Sequence, residues 1–200
     1  MKKTLSNDDF PDLANKQILT QEAIKFKSAE EFVNSKINAF HTTTGKFDVF
    51  NIPTFFCRNK KDAEEYGGLK AEKTKTIGAF IDIKHPFRTG YNEEQSTEFI
   101  ALINRAGFKV DKIVNKSGAW SISEEQTKPI RDNSPYDGEN LNDWIYVPKV
   151  REQLIKESYD GLEASDVFSN HEIDIIIPLN TNQIFTESQL ADIWNKAHEE

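Results

Sequence analysis

Two short apolar runs constrain the fold more than anything else in this chain: IGAFIDI at 77–83 and EIDIIIPL at 172–179. Both are rich in β-branched and aromatic residues, and His85-Pro86 closes the first, so both predict strands. Shorter β-prone runs occur at 37–40, leading into His41, and at 54–57 (TFFC). Helical spacing appears between them. Ser28 and Glu31 have the spacing of a capping box, and Phe32, Val33 and Ile37 follow, predicting a helix over 28–37. Asn59 is placed to cap a helix over 60–66 that Gly67-Gly68 ends. Residues 92–105 carry Phe99, Ile100 and Ile103 on one face, and Pro148 opens a helix running to Glu157. Thr186 and Gln189 form a second capping box, starting a C-terminal helix over 186–200 with Leu190, Ile193 and Trp194. Strands and helices alternate without a regular βαβ rhythm, which favours an α+β fold over a doubly wound sheet.

No domain boundary is visible, so residues 1–200 read as a single domain. The first 20 residues are polar with scattered Phe10, Leu13, Ile18 and Leu19; they read as an arm or a short packed segment, and up to the first helix the arm spans 1–27. Thr42 to Lys46 reads as a turn followed by Phe47, Val49 and Phe50. AEKTKT at 71–76 reads as an exposed loop, RDNSPYDGEN at 131–140 as a loop, and Tyr159-Asp160-Gly161 as a turn. Residues 107–147 give no clear pattern.

Composition narrows the function classes. With 25 Lys and Arg against 33 Asp and Glu, the formal net charge is −8, which argues against a general nucleic-acid or membrane-surface binder. The single cysteine, Cys57, rules out an intrachain disulfide and fits a reducing compartment. MKKTLSNDDF has no apolar run behind its lysines and does not read as a signal peptide, and no stretch approaches the roughly 18 apolar residues of a membrane-spanning helix. The expectation is a cytoplasmic protein.

Common catalytic motifs are missing. The nine glycines never fall as GxGxxG or GxxxxGK, the four histidines never approach HExxH spacing, and no GxSxG elbow occurs. No metal site is expected. Cys57 among apolar neighbours reads as a buried, inert thiol.

Three pieces remain. The first is Phe40-His41-Thr42-Thr43 with Phe47 and Phe50. The second is Thr54-Phe55-Phe56-Cys57, then Ala63 and Tyr66. The third is Tyr159-Asp160-Gly161-Leu162, then Glu172-Ile173-Asp174-Ile175-Ile176-Ile177, then Asn182-Gln183-Ile184. Taken singly, each also reads as ordinary structure: a core histidine beside a phenylalanine, core aromatics, a solvated strand face. In this order they resemble the ADP-ribosyltransferases of the diphtheria-toxin and poly(ADP-ribose) polymerase branch, the His-Tyr-Glu class. The small transferase domains of phage and mobile-element proteins are the nearest likeness. It covers about residues 37–185, and nothing in 88–150 takes part in it.

The resemblance implies a split fold, two small antiparallel sheets facing each other across an NAD cleft, with flanking helices. It implies NAD as the bound cofactor and donor. A histidine at a strand end, here His41, bonds the adenosine ribose hydroxyls. The backbone of Thr42, at the strand end with Thr43, pairs with the nicotinamide amide, which needs one donor and one acceptor. Phe55 and Tyr66, with ten residues between them and Phe56 beside the first, sandwich the nicotinamide ring by offset and cation–π contacts. Asp174 is the catalytic carboxylate, stabilising an oxocarbenium-like state as the nicotinamide–ribose bond breaks. Glu172, two residues earlier on the same strand face, gives an acid-x-acid pair whose first acid prepares the acceptor.

The chain departs from the family at three of these positions: Thr42 for glycine, Phe55 for tyrosine and Asp174 for glutamate. The spacing from Asp174 to Gln183 is one residue longer than usual, which leaves Glu172 and Gln183 open as the working position. The implied activity is mono-ADP-ribosylation of a protein or other macromolecular target, by a phage or bacterial effector acting on a host or defence component in the host cytoplasm. The alternatives are an inactive module that inhibits a partner by binding, and an NAD glycohydrolase toxin.

Overall fold

The computed structural model describes residues 13–43, 50–68, 74–90, 92–110, 113–114, 120–121, 128–133, 141–168 and 171–199. In chain order its elements are α1 (Leu13–Ala23), α2 (Ala29–Asn34), β1 (Ile37–Thr43), β2 (Phe56–Cys57), α3 (Lys60–Gly68), β3 (Lys75–Ile81) and β4 (Pro86–Thr89). There follow α4 (Glu93–Arg105), β5 (Ile113–Val114), β6 (Trp120–Ser121), α5 (Lys128–Arg131), a 3-10 helix Leu141–Tyr146, α6 (Pro148–Lys156), β7 (Gly161–Phe168), β8 (His171–Pro178), a 3-10 turn Thr181–Gln183, β9 (Ile184–Phe185) and α7 (Glu187–His198). The class is mixed α and β. The chain divides into two compact units: Met1–Ile52, Arg58–Ile83 and Asn180–Glu200 form the first, Pro53–Cys57 and Lys84–Leu179 the second.

In the first unit the strands run in the order β1-β3-β9, all antiparallel. α1, α2 and α7 enclose a core of Leu19, Ala23, Phe32, Val33, Phe185, Leu190 and Ile193. The supposed arm therefore contributes helix α1, packed through Leu19 and Ala23; Phe10 lies outside the described residues. α7 starts with the expected capping box, Thr186 Oγ1 accepting from the Gln189 N–H and the Gln189 side chain from the Thr186 N–H. At α2, Ser28 Oγ accepts from the Glu31 N–H at 3.1 Å, while the Glu31 carboxylate takes the Lys27 N–H at 2.9 Å instead of closing the box on Ser28. Lys36 is the buried polar centre of the unit. Its side chain, 1% exposed, pairs with Glu22 and with Asp82, each at 2.9 Å, and ties α1 to the end of β3. Burying an ammonium is costly unless it is paired, and two carboxylates meet that need here.

In the second unit the strands run in the order β4-β7-β8-β2. β7 pairs antiparallel with β8 and β2 with β8, but β4 runs parallel to β7. The expectation of wholly antiparallel strands is corrected on this point: the segment between β4 and β7 is long enough to carry the chain back to the starting end. β8 lies between β7 and β2, and its Ile173 and Ile175 to Pro178 are all buried. The predicted strand at 54–57 contracts to two residues, and the one at 37–40 extends through Thr43, taking Thr42 and Thr43 out of the expected turn. Thr44 to Val49, residues 71–73 and residues 134–140 lie outside the described residues; Lys75 and Thr76, expected in the exposed loop at 71–76, instead open β3. α4 and α6 lie together, joined at their C-terminal ends by Arg105 and Glu157: Nε to Oε1 at 2.7 Å and Nη2 to Oε2 at 2.8 Å.

The Tyr-Asp-Gly turn is a brace. Asp160 Oδ2 accepts the Lys84 N–H at 2.7 Å and Oδ1 the His85 N–H at 2.8 Å; its own N–H bonds the His85 carbonyl and its carbonyl takes the Leu179 N–H. Ser158 enters this turn with φ of 67°, the left-handed conformation that a non-glycine residue adopts at a cost. Asp160 thereby aligns the start of β7 with the segment leading into β4.

Candidate functional site

Among the residues singled out from the sequence, His41, Thr42, Thr43 and Tyr66 belong to the first unit; Phe55, Phe56, Glu172 and Asp174 belong to the second. In the first unit β1 presents His41 opposite Ile77 and Thr42 opposite Thr76. His41 is half-buried, its ring edge-on to Phe50 with centroids 6.1 Å apart. Strand alternation puts His41 and Thr43 on the face opposite the Thr42 side chain. Thr42 is buried, with Oγ1 2.8 Å from Thr76 Oγ1.

The α3 helix packs directly on β1. Asn59 caps it as expected, Oδ1 accepting the Lys61 N–H at 2.9 Å. At the far end the helix lies so close to the strand that a Cβ on Gly67 would stand 2.6 Å from Thr42 Cβ and 2.8 Å from the Thr42 carbonyl oxygen. Glycine is required there by the neighbouring strand. The close approach fixes the helix end, and with it half-buried Tyr66, against the strand that carries His41.

In the second unit Phe55 and Phe56 have different surroundings. Phe56 is 0% exposed and sits in β2 opposite Ile176, a core residue with no ring surface for a ligand. Phe55, one residue earlier, is half-buried and stacks on Tyr146, with centroids 5.4 Å apart and 17° between planes. On β8 the exposed residues are His171, Glu172 and Asp174. Asp174 lies opposite Ser165 in the register of β7, and Ser165 Oγ donates to Glu172 Oε1 at 2.5 Å. Ser165, Glu172 and Asp174 share one sheet face, as does Glu163, whose carboxylate meets Arg88 Nε at 3.0 Å. The acid pair is thus one exposed carboxylate held between two buried isoleucines and one oriented by a serine from the next strand.

Gln183, the third position left open by the sequence, is 7% exposed and its amide is committed to the fold. Oε1 accepts the Asn180 N–H at 2.9 Å and Nε2 donates to the Asp82 carbonyl at 3.2 Å. It forms a capping box with Asn180 that turns the chain into β9. Cys57 is buried. Two residues with a bearing on the site carried no sequence signal, Tyr146 and Ser165. Tyr146 lies in the stretch without a readable pattern. Ser165 lies on β7, a strand that the sequence does not announce because Glu163 and Ser165 are buried polar residues on its inner positions.

Among the described residues no group of three His, Cys, Asp or Glu is placed to hold a metal ion, and no helix is long and apolar enough to cross a membrane. Comparison with known proteins finds no matching family model, no matching curated protein and no matching solved structure.

Proposed function

We propose that this chain is an NAD-dependent mono-ADP-ribosyltransferase that modifies a protein target, with a host or defence component as the acceptor and a split transferase fold as its architecture. NAD is the donor substrate in this reading. The observation that carries it is the packing of α3 on β1 at Gly67 and Thr42, which brings the last turn of the helix, with Tyr66 in it, onto the strand bearing His41; the helix expected over 60–66 runs on through Gly68. That is the strand-then-helix pairing the sequence order calls for. Side-chain exposure supports the same assignment: His41, Thr43, Phe55 and Tyr66 are half-buried and Glu172 and Asp174 exposed, so each retains surface for a ligand.

In this reading His41 bonds ribose hydroxyls, the Thr42 backbone pairs with the nicotinamide amide, and Phe55 and Tyr66 stack on the ring. Asp174 stabilises the positive charge that develops on the ribose as nicotinamide leaves with the bonding electron pair. Glu172, oriented by Ser165, acts on the acceptor. Phe56 and Gln183 act only through the fold.

The test is incubation of the purified protein with NAD labelled in its adenylate half, together with proteins of a bacterial extract. Label on a protein with stoichiometric nicotinamide release is the expected outcome. Free labelled ADP-ribose with nicotinamide marks a glycohydrolase, and unchanged NAD overturns the reading. Asp174→Asn keeps the strand and is expected to lower nicotinamide release by about 100- to 1000-fold, the range for removing one group that stabilises transition-state charge. Full activity in that variant reassigns the acid.

A further inference from the structure

Tyr146 comes from the segment without a sequence motif and ends the 3-10 helix Leu141–Tyr146. Its ring lies nearly parallel to Phe55 at 5.4 Å between centroids, an offset stack. A third ring between two others needs about 7 Å, twice the usual contact distance of roughly 3.5 Å. Nothing therefore inserts between Phe55 and Tyr146 without breaking their stack. Phe55 still exposes part of its surface with Tyr146 in place.

Tyr146 is itself held. Arg151 Nη1 donates to the Ile145 carbonyl at 2.7 Å and to the Tyr146 carbonyl at 2.9 Å, closing the end of the 3-10 helix. Arg151 is carried on α6, which is anchored by buried Val150 and Leu154. On the other side, Phe55 is followed directly by fully buried Phe56. Both rings of the stack are thus tied to the core of the second unit by backbone neighbours, and each restricts the rotamers of the other.

We propose that Tyr146 is a positioning residue for ring stacking at Phe55. It holds the Phe55 ring in one plane so that the surface Phe55 leaves exposed is preformed for the nicotinamide ring of NAD. This rests on the transferase reading above. Freezing a mobile side chain on binding weakens affinity, and a ring already held does not incur that loss. Tyr146 contributes through its ring plane; its hydroxyl has no part in the stack.

The experiment is a calorimetric titration of the full chain with NAD and, separately, with ADP-ribose, which lacks the nicotinamide ring. Tyr146→Ala is expected to weaken NAD binding by about 3- to 10-fold, the effect of leaving one side chain to be ordered on binding, and to leave ADP-ribose binding unchanged. Tyr146→Phe is expected to bind both as the wild type does. Tyr146→Leu fills the volume without a ring plane and should match Tyr146→Ala, which covers the case in which the alanine variant does not fold. Unchanged or tighter NAD binding by the alanine and leucine variants overturns the inference alone, as does an equal loss for both ligands. Failure of the wild type to bind either ligand overturns the transferase reading and this inference with it.

Discussion

Glu157, at the C-terminal end of α6, shows how one residue makes the second unit sensitive to acid. The hydrogen bonds from Arg105 hold its carboxyl below the ordinary carboxylate range; partial burial opposes them, and Gln153 helps through a 2.6 Å bond. A carboxylate whose value is lower in the folded than in the unfolded chain contributes stability above its unfolded value, about 4.3, and loses it as pH falls through the folded one. The melting temperature of the wild type should therefore exceed that of Glu157→Gln near pH 7, and the gap should close as pH drops below about 4. Equal gaps at both pH values would show the pair to be inert. At the same scale, the sequence does not separate neighbouring aromatics. Phe55 and Phe56 are indistinguishable as letters; strand alternation and the pairing of Phe56 with Ile176 decide which ring keeps an exposed surface. Gln183 likewise reads as a candidate working position until the turn that consumes both ends of its amide is seen.

Elements set by local chemistry were legible, and those set by distant partners were not. The caps at Ser28, Asn59 and Thr186 and the proline opening α6 are satisfied within a few residues, so their signals survive in the sequence. β7 did not announce itself because its inward polar residues, Glu163 and Ser165, are satisfied by Arg88 on β4 and Glu172 on β8. α1 lacked a periodic stripe: it buries Leu19 and Ala23 but leaves Ile18 exposed, so its helix is stabilised by α7 more than by its own pattern. The α3–β1 contact is the element pair on which the first half of the proposed site depends. Gly67→Ala places a methyl carbon 2.6 Å from Thr42 Cβ and 2.8 Å from the strand carbonyl, and backbone cannot yield as a side-chain tip can. The substitution should cost about 1–3 kcal/mol in chemical denaturation and reduce NAD binding through displacement of Tyr66. A variant with wild-type stability would mean the helix slides freely on the strand.

At the scale of the whole molecule, the chain passes between its two compact units at residues 52–53, 57–58, 83–84 and 179–180. Neither unit is a contiguous stretch. Residues 84–179 contain all of the second unit except Pro53–Cys57, the five that supply β2. A fragment spanning 84–179 loses the partner of Ile175 and Ile176 along one side of β8, and an open apolar strand edge pairs with other copies of itself. It should aggregate in sedimentation measurements, and a soluble monomeric fragment would show that β2 is dispensable. The same short insertion makes the molecule suited to strand complementation. A peptide carrying Pro53 to Cys57 and added in trans would complete the edge and deliver Phe55 to Tyr146 in the same step. Closing the sheet and assembling the aromatic stack would then be one titratable binding event.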